Sequence, residues 1–296
     1  MDDHYLGKSL TLYARPTSFQ DAGIIVVMSN SNFQDNVVII TGASSGIGRE
    51  LAYQLAPQGA RLVLSGRDAS RLEATAEHCR QAGAEVLAVT ADLTRQEECR
   101  NLIQRAVQEY GHIDTLINNA GNSIQANLEE YTDPTALEQI TRLNYLGSAY
   151  CTFYALPYIK QSRGRIVAVC SMAGVIGFPG LSGYVASKHA MSGFFEAIRP
   201  ELKPYGVSVT IVYPASVASH IEKDAQGSNR KLPMGMMPVE TCARLTLRAA
   251  ARRRRELYMA PGGKVILWLK LLVPGMLEQF SANAVEKDRA TRKENS

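Results

Sequence analysis

Ser171, Tyr184 thirteen residues later and Lys188 four beyond that are the side chains whose types and spacing could do chemistry. Reducing a ketone places hydride on carbon and negative charge on oxygen, so a proton donor must stand within hydrogen-bond reach of that oxygen. A free tyrosine, with a pKa near 10, is poorly matched to that task at neutral pH. An ammonium one helical turn away changes the balance: at ~4 Å and an effective dielectric of 20 it favours the phenolate by roughly 4 kcal/mol. A serine hydroxyl aimed at the same oxygen adds an oxyanion-type contribution. The chain has 13 tyrosines, so a Tyr/Lys pair at this spacing means little alone. Its order gives it weight, because the first clear strand runs into T-G-A-S-S-G-I-G, Thr41 to Gly48. The ordered set implies hydride transfer on a dinucleotide-binding sheet.

Gly42, Gly46 and Gly48 have the spacing G-x-x-x-G-x-G. A tight turn and a close backbone approach to a pyrophosphate both require residues without a Cβ, and the helix that follows offers its N-terminal amides to the anion. An ordinary structural turn is the bland alternative. Gly42 to Gly46 also satisfies G-x-S-x-G, which would make Ser44 a hydrolase nucleophile. Position argues against this, since such an elbow follows several strands and its histidine comes late, whereas the last histidine here is His220. The second strand ends Ser65, Gly66, Arg67, with no acid to bond ribose hydroxyls but a guanidinium able to pair with a 2′-phosphate. This favours NADP (as NADPH) over NAD, with Asp68 as the residue that speaks for NAD.

The elements that must position these groups alternate along the chain. Strands are expected at Val37–Ile40, Arg61–Ser65, Glu85–Ala91, Thr115–Asn118, Arg165–Cys170, Val207–Val212 and Glu256–Ala260. Helices are expected at Arg49–Leu55, Ala69–Ala82, Arg95–Tyr110, Leu137–Ile159, Tyr184–Leu202 and Val239–Arg255. Pro200 is expected to end its helix early. Apolar strands alternating with amphipathic helices indicate an α/β fold with a doubly wound parallel sheet of about seven strands in a single domain. The ligand crevice of such a sheet lies at the carboxyl ends of its strands. Every singled-out motif falls there: the Gly-rich turn, Asp92, Asn118 to Gly121, Ser171 and Pro214.

At 296 residues and 46% hydrophobic the chain can bury one large core. The 32 basic and 28 acidic residues leave +4, too mild to indicate nucleic acid. Cys79, Cys99, Cys151, Cys170 and Cys242 are odd in number, scattered and never in C-x-x-C, which argues against a disulfide framework or a metal site and for a reducing compartment. Ile24 to Met28 is too short for a signal-peptide core, and no run approaches the ~18 to 20 apolar residues of a spanning helix. The expectation is a cytoplasmic protein or one on a membrane surface. Residues 1–30 read as a disordered or non-native extension, with Met28 a candidate start; 31–260 form the catalytic domain, and 261–296 an apolar segment with a charged tail.

The chain resembles the short-chain dehydrogenase/reductase family from about Val37 to Glu256. The resemblance rests on T-G-A-S-S-G-I-G, Asp92-Leu93, N-N-A-G (Asn118 to Gly121), Asn144, Ser171 and Y-V-A-S-K (Tyr184 to Lys188). It implies that Tyr184 gives or takes the proton, Lys188 activates it and binds ribose, Ser171 polarises the substrate, and Asn144 holds a relay water. It also implies a cofactor site of Gly42, Ser44, Ser45, Gly46, Ile47, Gly48, Arg67, Asp92 (against adenine), Leu93, Asn118, Asn119, Ala120, Gly121, Tyr184, Lys188, Pro214, Ala215, Val217 and Ser219. The family usually carries P-G after strand six. Here Pro214-Ala215 stands in its place, and the extra methyl crowds the nicotinamide edge.

Val175, Ile176, Phe178 and Leu181, with Met234, Met236 and Met237, suit a hydrophobic carbonyl substrate of steroid, retinoid or long-chain type, although such residues also fill ordinary cores. The resemblance leaves two enzymatic rivals, a 3-oxoacyl-carrier-protein reductase and an extended-branch epimerase, and a non-catalytic NADP-binding protein. Lys264 to Val273 is apolar nearly all around a helix, so residues 261–280 are expected to cover the substrate site, meet a partner in a homo-oligomer or touch a membrane peripherally.

Overall fold

The computed structural model describes residues 33–217, 236–260, 262–279 and 281–283. Residues 1–30, Ser219, His220 and Met234 lie outside the described residues. Strand β1 (Val37–Thr41) is buried at every position, as expected of a parallel strand covered on both faces. Its side chains alternate with period two. Val37 and Ile39 join one apolar cluster, and Val38 and Ile40 join the other.

The remaining elements alternate except for two helices between β4 and β5: α1 (Gly46–Leu55), β2 (Arg61–Gly66), α2 (Ala69–Gln81), β3 (Val86–Thr90), α3 (Gln96–Tyr110), β4 (Thr115–Asn118), α4 (Thr135–Thr141), α5 (Gly147–Gln161), β5 (Arg165–Val169), α6 (Ser182–Leu202), β6 (Ser208–Tyr213), α7 (Val239–Ala251), β7 (Glu256–Tyr258) and α8 (Gly263–Leu272). All pairings are parallel, in the order β3-β2-β1-β4-β5-β6-β7. One face is covered by α3, α5 and α6 through Leu102, Cys151 and Phe195; the other by α1, α2 and α7 through Leu51, Leu72 and Ala243. Strand order reverses between β1 and β4, which register Ile40 against Ile117, and the ends of these two strands splay into a crevice.

Three local features differ from the sequence expectation. The single helix expected over Leu137–Ile159 is two helices joined by a π-helical turn, Arg142–Leu146. Pro200 does not end α6, which runs on to the buried Leu202 and then a 3-10 turn; burial of Leu202 outweighs one lost hydrogen bond in the last turn. The helix expected to reach Arg255 stops at Ala251 because Arg253 turns into the left-handed region (φ 49°). From there its guanidinium binds the carbonyls of Gly206 (2.8 Å), Arg163 (2.8 Å) and Gly164 (3.3 Å).

Candidate active site

A cleft of about 550 Å³ opens over the carboxyl ends of β1, β2, β4 and β5. Its floor is the turn after β1, where Gly42 and Gly46 take φ of 66° and 53°, the region that glycine occupies without strain. A Cβ on Gly42 would also lie 2.9 Å from the Cα of Ala120. Ser44, Ser45 and Ile47 line the same wall. Gly48 sits behind it: a Cβ there would lie 2.2 Å from the carbonyl oxygen of Gly42, so this glycine lets α1 start directly against the turn. No side chain caps α1, which leaves its first-turn amides for an anion.

Thr41 braces the turn from below. Its hydroxyl oxygen accepts the backbone N–H groups of Asn119 (2.9 Å) and Ala120 (3.0 Å) and donates to the carbonyl of Ile117 (3.3 Å). The Asn119 amide returns to the carbonyls of Thr41 (2.9 Å) and Gly42 (3.3 Å). Asn119, Ala120 and Gly121 therefore line the cleft. Asn118 does not: it is fully buried and donates to Thr152 of α5 at 3.0 Å, tying helix to sheet.

At the far end, Arg67, Asp68 and Arg71 line the wall beside Ser44. The Asp68 carboxylate is the N-cap of α2, accepting the backbone N–H of Arg71 at 3.0 Å. Among the described residues neither the Arg67 nor the Arg71 guanidinium has a hydrogen-bond or ion-pair partner. Sequence reasoning missed Arg71. Its place one turn beyond Arg67, at the start of a helix that follows a strand end, was the available signal.

Tyr184 and Lys188 face the cleft from α6. Lys188 is only 3% exposed; its ammonium donates to the carbonyl of Val169 at 3.1 Å and lies 5.9 Å from the Tyr184 ring centroid. Asn144, at the centre of the π turn, holds both backbone groups of Asn122: its Oδ1 accepts that residue's N–H and its Nδ2 donates to that carbonyl, each at 2.9 Å. The same Nδ2 donates to Ser187 (2.9 Å), whose hydroxyl donates to the carbonyl of Tyr184 (2.7 Å). The π turn, the loop after β4 and the tyrosine's own backbone are thereby one network. Ser171 follows β5 with extended backbone, its Oγ accepting the N–H of Ala173 at 3.1 Å. Beside it, burial raises the Cys170 thiol, against the opposing pull of Lys188.

Other expected residues stand off the cleft wall. Asp92 lies between the lining residues Ala91 and Leu93 and turns its carboxylate to Thr94 (2.9 and 3.1 Å). The carbonyl of Pro214 accepts the N–H of Met172 at 3.1 Å. Ala215 is half-buried, and Val217 forms a bridge with Met237. A second cavity, of about 540 Å³, lies between Gly177–Pro179, the Ser182, Val185 and His189 positions of α6, and Glu278 and Ser281 of the C-terminal segment.

The positive-φ glycines, the uncapped first turn of α1 and the two guanidiniums fit a dinucleotide, whose pyrophosphate the Gly42–Gly46 turn would hold. The family model for short chain dehydrogenase matches residues 36–229. The chain belongs to the short-chain dehydrogenase/reductase family. As a member it is an oxidoreductase of alcohol and ketone substrates that uses a nicotinamide cofactor. It is 35% identical over 268 residues to 11-beta-hydroxysteroid dehydrogenase A of Sesamum indicum, covering 86% of this chain and 77% of that one. It is 36% identical over 269 residues to 11-beta-hydroxysteroid dehydrogenase 1A of Arabidopsis thaliana, with the same coverage. A short-chain dehydrogenase/reductase from Burkholderia phymatum, solved in complex with NAD, superposes with a TM-score of 0.74 at 26% identity, covering 83% of this chain and 96% of that one. Among the described residues of this short-chain dehydrogenase/reductase, no helix is long and apolar enough to cross a membrane.

Proposed function

We propose that the protein reduces a bulky apolar ketone, of the steroid or long-chain kind, with NADPH as the donor. The observation that carries the cofactor half is the Asp68 cap: the one acid on the cleft wall among the described residues is bonded to Arg71, so the ribose end presents two guanidiniums to a 2′-phosphate. The apolar half is supported by the cavity beside α6 walled by Phe178, Pro179, Val185 and Ala186, and by relatives whose names are those of hydroxysteroid dehydrogenases.

The bound dinucleotide supplies the hydride. Tyr184 gives its hydroxyl proton to the ketone oxygen, and the Lys188 ammonium, held by Val169, stabilises the phenolate left behind. Ser171 donates a second hydrogen bond to that oxygen. Asn144 keeps the loop after β4 in place through Asn122, and that loop is tied to the one after β5 by the N–H of Ala126 on the carbonyl of Gly180 (2.9 Å). The test is NADPH consumption over ketones graded from acetone-sized to steroid-sized. Rates rising with apolar bulk support the reading; a preference for small polar ketones or for NADH overturns it.

A further inference from the structure

Helix α8 carries a ridge that stands exposed among the described residues. Ile266 and Leu267 pack on the core, and the ammonium of Lys270 donates to the carbonyl of Val175 at 2.6 Å. On the outward arc stand Val265 (56% exposed), Trp268 (65%), Leu269 (37%), Leu271 (76%) and Leu272 (73%), and Met276 (71%) follows just beyond. At about 100° per residue these α8 positions and Lys264 span roughly 160° of the helix. A contiguous apolar surface of this extent is uncommon on a soluble monomer.

We propose that this ridge lies in the headgroup layer of a lipid bilayer containing anionic lipid, and that it sets the substrate entrance against the membrane. Two copies of the ridge could also pack on each other as helices do, an outcome that the test below separates from lipid. A lipid surface conforms to the ridge. Charge agrees: between Ala260 and Glu278 the only charged residues are Lys264 and Lys270, and Lys264, near the edge of the arc, can reach headgroup phosphates. Trp268 stands mid-arc, the residue type favoured at headgroup depth. A ten-residue helix is about 15 Å long, half the ~30 Å of a hydrocarbon core, so it lies in the surface rather than crossing. On its inner side the ammonium of Lys270 holds the carbonyl of Val175, in the segment between Ser171 and Tyr184. Docking would therefore bring that segment to the lipid. The docking does not depend on the ketone-reductase reading; the entrance does rest on it.

Trp268 is the chain's one tryptophan, so its emission reports the ridge directly. The full chain is mixed with phosphatidylcholine vesicles with and without phosphatidylglycerol. Docking predicts a blue shift, quenching by bromolipids and co-sedimentation. Leu271→Glu combined with Leu272→Glu should weaken vesicle binding about a hundredfold or more, and Lys264→Glu should weaken it only on anionic vesicles. Emission unmoved by lipid overturns the proposal. So does emission already blue in buffer together with a dimer that the double substitution dissociates, since a second copy would then cover the ridge. For the entrance, the double variant should lose most of its rate on a vesicle-dissolved long-chain ketone and keep its rate on a small water-soluble one; equal rates contradict it. A wild-type protein that turns over neither ketone contradicts the reductase reading and leaves the emission result to judge the docking.

Discussion

The carboxylate of Asp68 accepts the backbone N–H of Arg71 at 3.0 Å, so the acid nearest the ribose end of the cleft caps α2 while Arg67 and Arg71 line the wall around it. A charge-assisted contact contributes about 1.5 to 3 kcal/mol, roughly 10- to 150-fold in affinity. Arg67→Asp is expected to shift the ratio of NADPH to NADH efficiency by at least that range toward NADH. Arg71→Ala should shift it the same way by a smaller factor. Steady-state kinetics with both cofactors measure this, and a wild-type preference for NADH would contradict it.

Tyr184→Phe removes the proton donor and little of the cofactor contact. Turnover should fall to background while NADPH still binds, as read by quenching of Trp268 or by calorimetry. Retention of more than about a tenth of the wild-type rate would remove Tyr184 from the role. Lys188→Ala is expected to lose both turnover and tight cofactor binding.

Thr41→Val keeps the shape of the side chain and removes the oxygen that accepts the N–H groups of Asn119 and Ala120. Each unsatisfied buried amide costs about 1 to 3 kcal/mol, so a loss of roughly 2 to 4 kcal/mol is expected in chemical denaturation, with weaker cofactor binding because Asn119 holds the turn. A change under about 1 kcal/mol would show that the hydroxyl is dispensable.

All five cysteines are free and buried. Burial, opposed by Arg80, pushes the Cys79 thiol up to about 11, and burial pushes Cys242 to about 12. The folded protein holds these protons more tightly than the unfolded chain, whose thiols ionise near 8.5. The stabilisation is complete below that pH and is lost as pH rises toward 11. Native protein at pH 8 should resist alkylation at all five positions and react only when denatured, as mass spectrometry would show. Rapid native labelling of Cys79 or Cys242 would contradict this.

The sheet was legible because buried parallel strands are continuous apolar runs bounded by Gly and polar turns, as at Val37–Ile40 and Arg165–Val169. The Tyr184/Lys188 pair was legible because one helical turn fixes the spacing. The π turn around Asn144 was not, since it adds a residue to one turn without disturbing the surrounding apolar pattern. Arg71 and Thr41 were missed for a different reason. Thr41 matters through the amides of Asn119 and Ala120 that it accepts across the crevice, Arg71 through its place on the cleft wall, and a single sequence gives neither position. Asn118 shows the converse, a motif residue that the pleat turns away from the cleft and into α5.

In the proposed reductase the proton comes from Tyr184. The measurement that tests it most directly is NADPH absorbance against a steroid-sized ketone, with wild-type protein and Tyr184→Phe compared side by side at equal cofactor saturation. Ketone-dependent loss of absorbance in the wild type, reduced at least about a thousandfold in the variant while NADPH affinity holds, is the predicted result. Equal rates in both proteins, or none in the wild type with any ketone that fits the cleft, would contradict it.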